Sequence, residues 1–413
     1  MASTATTVEG YDEASIVAAS AARSEPDWLL DRRVEAARAF AAVSNPTPAL
    51  RPWKYTNVTD LDFASFPPAE AAIAISGDVP EGNGPHSGGA WTLAKAVEES
   101  LEVVQSDLGA LVPATEGKFI AANTALWSSG TIVNVPKGVV CEQPIEIEVS
   151  GVAAGPSAIF PRLLVNVGEQ AEVTIMLRLR SEDVRLLVAG VIEINAGDAS
   201  RVRLLIDERW GAATQDFTTV RSKLGRDADV IVATIAIGGH IVKHTVEALI
   251  EGEGANSVIR GVVLGDHEQH FDFVTLQDHQ GARTTSDVAI KAALAGASRS
   301  IYYGITRVEE TAKGAEANQV NRNLLLSTHS KADSDPVLEI LTADVIRCGH
   351  GATVGPVDSG ALFYLQSRGM DYRSALKLLV QGFFADVLRG IPIDGLEEEL
   401  QELVTAKLTT AEL

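Results

Sequence analysis

Cysteine is nearly missing from this 413-residue chain, which has only Cys141 and Cys348. Two thiols so far apart exclude a disulfide framework and read as reduced cysteines. They also limit the metal chemistry of the chain by itself: an iron–sulfur cluster normally takes four protein ligands, and four thiolates are not available. Basic residues are short as well, 34 Lys and Arg against 55 Asp and Glu, for a net charge of −21. A general nucleic-acid or anionic-membrane binder needs clustered positive charge, so that class is excluded and only local basic patches stay open. No apolar run approaches the ~20 residues that span a bilayer. Residues 1–22 hold Glu9, Asp12 and Glu13 but no Lys or Arg, unlike a secretory signal or a transit peptide, and the expected location is the cytoplasm.

Common catalytic motifs are missing too. There is no Gly-x-x-x-x-Gly-Lys-Ser/Thr phosphate loop, so the chain is not expected to hydrolyse ATP. Gly349-His-Gly-Ala-Thr-Val-Gly355 is one residue too long for a dinucleotide fingerprint and follows strands rather than sitting in a βαβ unit. His267-Glu-Gln-His270 spaces its histidines by three; on a strand they would point to opposite faces, which disfavours a surface metal site with Asp266 and His279. His240 and His244 read as solvated strand residues. No ladder of aligned carboxylates announces polysaccharide chemistry.

What is present is a well-filled fold of two or three domains, with 46% apolar residues and a mean hydropathy of +0.11. Residues 1–24 are small, polar and acidic and read as a mobile tail. Residues 25–128 read as an N-terminal helical domain. Within it Trp28, Leu29, Val34, Ala37, Phe40 and Ala41 recur at helical spacing. The prolines of Asn45-Pro-Thr-Pro48 and Arg51-Pro-Trp-Lys-Tyr-Thr56 predict an extended strap, for packing in preference to binding. The Gly- and Pro-rich stretch 77–90 reads as a loop, 91–110 as helical and 116–127 as a short helix.

From Gly130 the period becomes two, as in Ile145-Glu-Ile-Glu-Val-Ser150. Gly168, Gly197, Gly225 and Gly254 recur 29, 28 and 29 residues apart, each followed by an alanine (Ala171, Ala199, Ala228, Ala255) and a valine (Val173, Val202, Val230, Val258). A period in the twenties with strands between the glycines predicts the stacked turns of a β-solenoid over residues 129–355, rather than a sandwich with coincidental turn glycines. Residues 356–413 then read as a C-terminal helical domain. Asp358 can cap a helix over 359–368 closed by Gly369, and Asp371 a second over 372–389 closed by Gly390. The second is apolar nearly all round, through Leu376, Leu378, Leu379, Val380, Phe383, Phe384, Val387 and Leu388. It therefore needs burial on more than one side, against its own subdomain and against a partner or the solenoid end. A third helix covers 396–408.

Cys348 and His350 stand at the junction between strands and helices. Two residues apart on a strand, they share a face, and a thiol with an imidazole suits a soft or borderline metal ion. A buried structural cysteine beside a hydrogen-bonded histidine fits the same spacing. If the pair takes part in a cluster site, the other ligands come from elsewhere, most simply another subunit.

At these residues the chain resembles the SufD branch of the SufB/SufD family of iron–sulfur cluster assembly scaffolds. The resemblance rests on Trp53-Lys-Tyr-Thr56, Gln319 with Asn323-Leu-Leu-Leu-Ser327, Pro336-Val-Leu-Glu-Ile340, Asp344-Val345, Cys348-x-His-Gly-Ala-Thr-Val-Gly355 and Leu362-Phe-Tyr-Leu-x-x-Arg-Gly369. It is densest over 319–389. His350-Gly-Ala-Thr353 departs from the His-Glu-Ala-Thr-Thr pattern usual in SufB, and Gly349 stands where the family often has Ser. The resemblance implies a right-handed parallel β-helix core with a helical domain at each end, a non-catalytic role, and pairing with a SufB-like subunit through the core's C-terminal end. It implies that Cys348 and His350 face that interface and share iron or a nascent cluster with the partner, with no cofactor in the isolated chain. It also implies a SufC-like ATPase docked on the C-terminal helices, at Phe363, Tyr364, Arg368, Leu379, Phe383 and Phe384. Whether the complex holds a flavin is not decided by these residues. The rival expectations are a β-helix enzyme acting on carbohydrate and a homodimer paired through its own solenoid ends.

Overall fold

A computed structural model describes residues 8–80, 88–99, 102–152, 154–388 and 393–413. Its core is a parallel β-solenoid. One sheet stacks the parallel strands Ile145–Gly151, Glu172–Ser181, Arg201–Arg209, Asp229–Ala236, Asn256–Gly265, Thr285–Leu294, Ala315–Leu325 and Val345–Pro356. The facing sheet runs from Gly130–Val135 through Arg162–Val167, Val191–Ala196, Thr214–Leu224, Ile241–Ile250, His270–His279 and Arg299–Val308 to Lys331–Ile340. Successive turns are in register: Val173, Val202, Val230 and Ser257 occupy one inward rung. Val258, the fourth valine of the repeat, is therefore displaced one residue onto the outer face.

The repeat glycines have a steric cause. A Cβ on Gly197 would lie 2.9 Å from the Glu169 nitrogen of the turn below, and one on Gly225 would lie 2.9 Å from the Asp198 nitrogen. The next member of this ladder is Gly252, not Gly254, because its Cβ would fall 2.0 Å from the Gly225 carbonyl carbon. Gly254 instead takes the left-handed position (φ +76°) that Gln170, Ala199 and Asp227 fill in the preceding turns. Backbones of adjacent turns approach too closely there for any side chain.

Helices flank the solenoid along its sides. α1 (Glu13–Ala22), α2 (Asp27–Ala42), α3 (Leu93–Glu98), α4 (Glu102–Asp107) and α5 (Lys118–Leu126) precede it; α6 (Ser359–Ser367), α7 (Tyr372–Leu388) and α8 (Leu396–Thr410) follow. The expected acidic tail is folded over its described part: α1 starts at an Asp12 cap, Ile16 is buried, and Tyr11 stacks on Phe40 with ring centroids 5.2 Å apart. Tyr11 and Ile16 anchor it. Residues 1–7 lie outside the described residues, as do 81–87 of the expected loop, 100–101 of the expected 91–110 helix, and Gly390. Two short strands fell where none was expected, Ala72–Ser76 and Gly89–Thr92. Each adds antiparallel to one sheet at the first turn and turns Ile73, Ile75 or Ala90 onto the core.

The strap lies over the outer face of the second sheet. Trp53 stacks on Phe119, which stacks on Phe217. Thr56 is buried and donates to Asp272, whose carboxylate also receives the Lys243 ammonium at 2.7 Å. The over-apolar α7 is covered on two sides by its own chain. One side meets α8 through Leu400 and Val404; the other packs on outward residues of the first sheet, including Val262, Leu264 and Ala293. A sheet face of the same chain, rather than the solenoid end, supplies its second surface, and Leu378 stays 47% exposed.

Candidate metal-handling end of the solenoid

The last turn is built from Lys331–Ile340 and Val345–Pro356, and each is the final strand of its sheet. Pro336 sits in one of them, where its missing N–H leaves no ladder partner unsatisfied. No turn follows, so the edges are uncovered: Ile340, Leu341, Ile346 and Val354 are 41%, 55%, 73% and 46% exposed. Registration on the preceding turn sets the direction of each side chain. Cys348 pairs with the buried Ala317 and His350 with the buried Gln319, so both point toward the solenoid interior at its open mouth. A bulge at Ile346 re-phases the strand just before them.

Cys348 is half-buried against Val308, Ala312 and Ala315. Burial pushes its thiol up from the ordinary value, while the Ala317 backbone acts in the opposite sense. The sulfur therefore rests as a thiol, and a metal ion would have to displace the proton. His350 is exposed. Beneath them the interior is polar: Tyr302 donates to Gln319 at 3.0 Å and meets Thr275 at 3.1 Å, and Asn323 donates to Asn321 at 2.6 Å. Gly304 makes room for the pair, since a Cβ there would lie 2.1 Å from the Tyr302 hydroxyl. Ser334 Oγ and Asn323 Oδ1, both near the mouth, have no hydrogen-bond partner. Gly349, Gly351 and Gly355 have open space where a Cβ would sit, so nothing within the chain requires them to be glycine.

The expected docking residues separate into two groups. Phe363 and Tyr364 on α6 are 72% and 56% exposed, and Arg368 lies over the Tyr364 ring at 5.2 Å. Leu379 and Phe383 are half-buried, the latter beneath the Lys291 ammonium. Phe384 is 1% exposed and packs inside the chain with Leu400 and Val404, so it belongs to the core and not to a docking surface. Its position on α7 faces α8, which helical spacing alone did not show.

Among the described residues, one group gathers three metal-binding side chains, and it lies elsewhere, deep in the interior: Glu208, Asp216 and His244. His244, expected to be solvated, is wholly buried because its strand phase turns it inward. Its Nε2 lies 3.0 Å from Glu208 Oε2 and 3.5 Å from Asp216 Oδ2. Burial opposes a charge on His244, yet the Glu208 and Asp216 carboxylates push it up to about 10; burial pushes Glu208 up to about 7. The other histidines stay apart. His240 is exposed, His267 is exposed in a turn, His270 faces Thr56 at 2.8 Å, and His279 is buried between Thr284 and Ser286 at 2.8 Å each.

The family model described as "SUF system FeS cluster assembly, SufBD core domain" matches residues 149–383, more than half of the chain. The chain belongs to the SufBD family. A SufBD family protein of Mycobacterium tuberculosis is 29% identical over 293 residues, covering 69% of this chain and 73% of that one. Bacillus subtilis SufD is 28% identical over 302 residues (72% and 68% covered), and SufB of the same organism 27% over 303 (72% and 64%). Similarity to the two branches is thus nearly equal. The SufBD match spans the solenoid from its first turn through the open mouth to α7. No helix among the described residues is long and apolar enough to cross a membrane.

Proposed function

We propose that this chain is a SufD-type, non-catalytic scaffold subunit of a cytoplasmic iron–sulfur cluster assembly complex. Its open solenoid end pairs with a SufB-like subunit, and Cys348 and His350 give that interface half of a ligand set for iron or a nascent cluster. The observation that carries the reading is the uncovered last turn. Two long edge strands carry exposed apolar residues beside a cysteine and a histidine that have no third ligand among the described residues, and three glycines leave space for another backbone to approach. Donor chemistry fits: a thiol and an imidazole together suit iron, and the shortfall in ligands calls for a second chain. The exposed aromatics of α6 suit a SufC-like ATPase, whose hydrolysis would move these helices against the solenoid. His350-Gly-Ala-Thr353 supports the SufD branch over SufB.

The carbohydrate-enzyme alternative is disfavoured because Glu208 and Asp216, which converge without an arginine between them, are sealed inside the solenoid. The test is anaerobic reconstitution of the co-purified complex with Cys348→Ala and His350→Ala variants. Retained folding and partner binding with most iron loading lost is expected. Wild-type loading in both variants would return the pair to a structural role, and a stable homodimer by native mass with no SufB-like partner bound would replace the heteromeric reading.

A further inference from the structure

We propose that Glu208, Asp216 and His244 form a second, internal site for one borderline divalent metal ion, of the zinc or cobalt type, inside the third to fifth turns of the solenoid. This site is independent of the open-end pair and does not rest on the proposed function. The strands set it up directly. Glu208 comes from the inward face of Arg201–Arg209, Asp216 from Thr214–Leu224 and His244 from Ile241–Ile250, and all three are fully buried. One nitrogen and two carboxylate oxygens converge within 4.8 Å of one another. For bonds of roughly 2.0–2.1 Å, the edges of a tetrahedral coordination shell are about 3.3–3.4 Å; the observed 3.0 and 3.5 Å separations bracket that length.

The hydrogen bonding independently points to a ligand. Glu208 and His244 meet as an ion contact, Nε2 to Oε2, at 3.0 Å, while the remaining Glu208 oxygen and His244 Nδ1 are buried with no hydrogen-bond partner. Asp216, in contrast, is held from outside the cluster: Trp210 Nε1 donates to Oδ2 at 2.8 Å and Thr218 Oγ1 to Oδ1 at 2.6 Å. Such outer contacts orient a ligating carboxylate and leave further lone pairs free. Val188 in the turn before and Phe273 in the turn after stand in register with Asp216 and His244 and enclose the cluster in apolar surface. Once an ion displaces the protons held within the cluster, two buried carboxylates and a neutral imidazole carry two negative charges, which one divalent cation cancels. Nitrogen and oxygen donors select a borderline ion over a soft one.

Because the cluster has no exposure, the ion is expected to enter as the turns assemble. The test therefore refolds the full chain from denaturant with cobalt(II), removes free metal, and measures bound cobalt per chain by elemental analysis and its ligand-field absorption. The expected result is about one ion per chain in the wild type and in the Cys348→Ala/His350→Ala double variant, and essentially none in Glu208→Gln or His244→Gln. Circular dichroism confirms that the variants refold. As a readout that needs no variant, cobalt or zinc present during refolding raises the melting temperature of the wild type. Refolded wild type with no bound metal and no thermal shift, or the same cobalt content in folded Glu208→Gln, overturns the site and leaves a metal-free ion cluster.

Discussion

The two ends of the solenoid solve the same problem differently. At the first turn the sheets finish in strands of 5 and 4 residues, Ala72–Ser76 and Gly89–Thr92, added antiparallel and folded onto the core. At the last turn they finish in strands of 10 and 12 residues with exposed Ile346 and Val354 and no covering element. Short edges protect a sheet from further pairing, and long apolar edges invite it. The chain caps its first turn with short strands and leaves long apolar edges at the end that carries Cys348 and His350.

Matched substitutions test that contrast, and the largest effect is expected in the packed turns. Ile147, in the first turn and 1% exposed, should cost about 2–5 kcal/mol on Ile147→Ala, measured by urea unfolding. Ile346→Ala, at the exposed edge, should stay within about 0.5 kcal/mol and instead weaken association with the SufB-like partner. Equal losses from the two would erase the distinction.

Between the ends, His279 should make the packed interior sensitive to acid. Burial holds its pKa at about 4 against an ordinary 6.5. Below 6.5 the unfolded chain takes up a proton that the folded chain refuses, so stability falls as the pH drops toward 4, by up to about 3 kcal/mol. His279→Gln should flatten that part of the unfolding profile, and an unchanged slope would show that other groups set it.

Glycine pairs sharpen the comparison further. Gly252→Ala forces a Cβ into the backbone of the turn below and should cost about 1–3 kcal/mol. Gly351→Ala meets open space and should leave unfolding within about 0.5 kcal/mol while weakening partner binding. The smallest effect on the isolated chain is expected from Phe363→Asp on α6, which should melt like wild type yet lose the SufC-like ATPase in a pull-down.

Much of this was legible in the residues. Period-two strands, a glycine repeat near 29 and a switch to helical spacing after Gly355 specify a solenoid followed by helices, because close turn stacking and pleat alternation leave local marks. Cys348 and His350 could be placed on one face by spacing alone. Non-local placement left no such mark. Nothing in the alternation around His244 says which phase turns inward, since buried strands are apolar on both faces. The circumference of α7 could not reveal which of its apolar sides α8 and the sheet of the same chain cover, and Phe384, packed against α8, is core for that reason. The capping strands at 72–76 and 89–92 are too short to display a period.

Amide hydrogen exchange across Val345–Pro356, with and without the SufB-like partner, tests the open end most directly. The account predicts fast exchange at the free edge of this strand in the isolated chain and strong protection there on complex formation, with the first-turn strand Ala72–Ser76 unchanged. Partner binding that leaves Val345–Pro356 exchanging as before would contradict it.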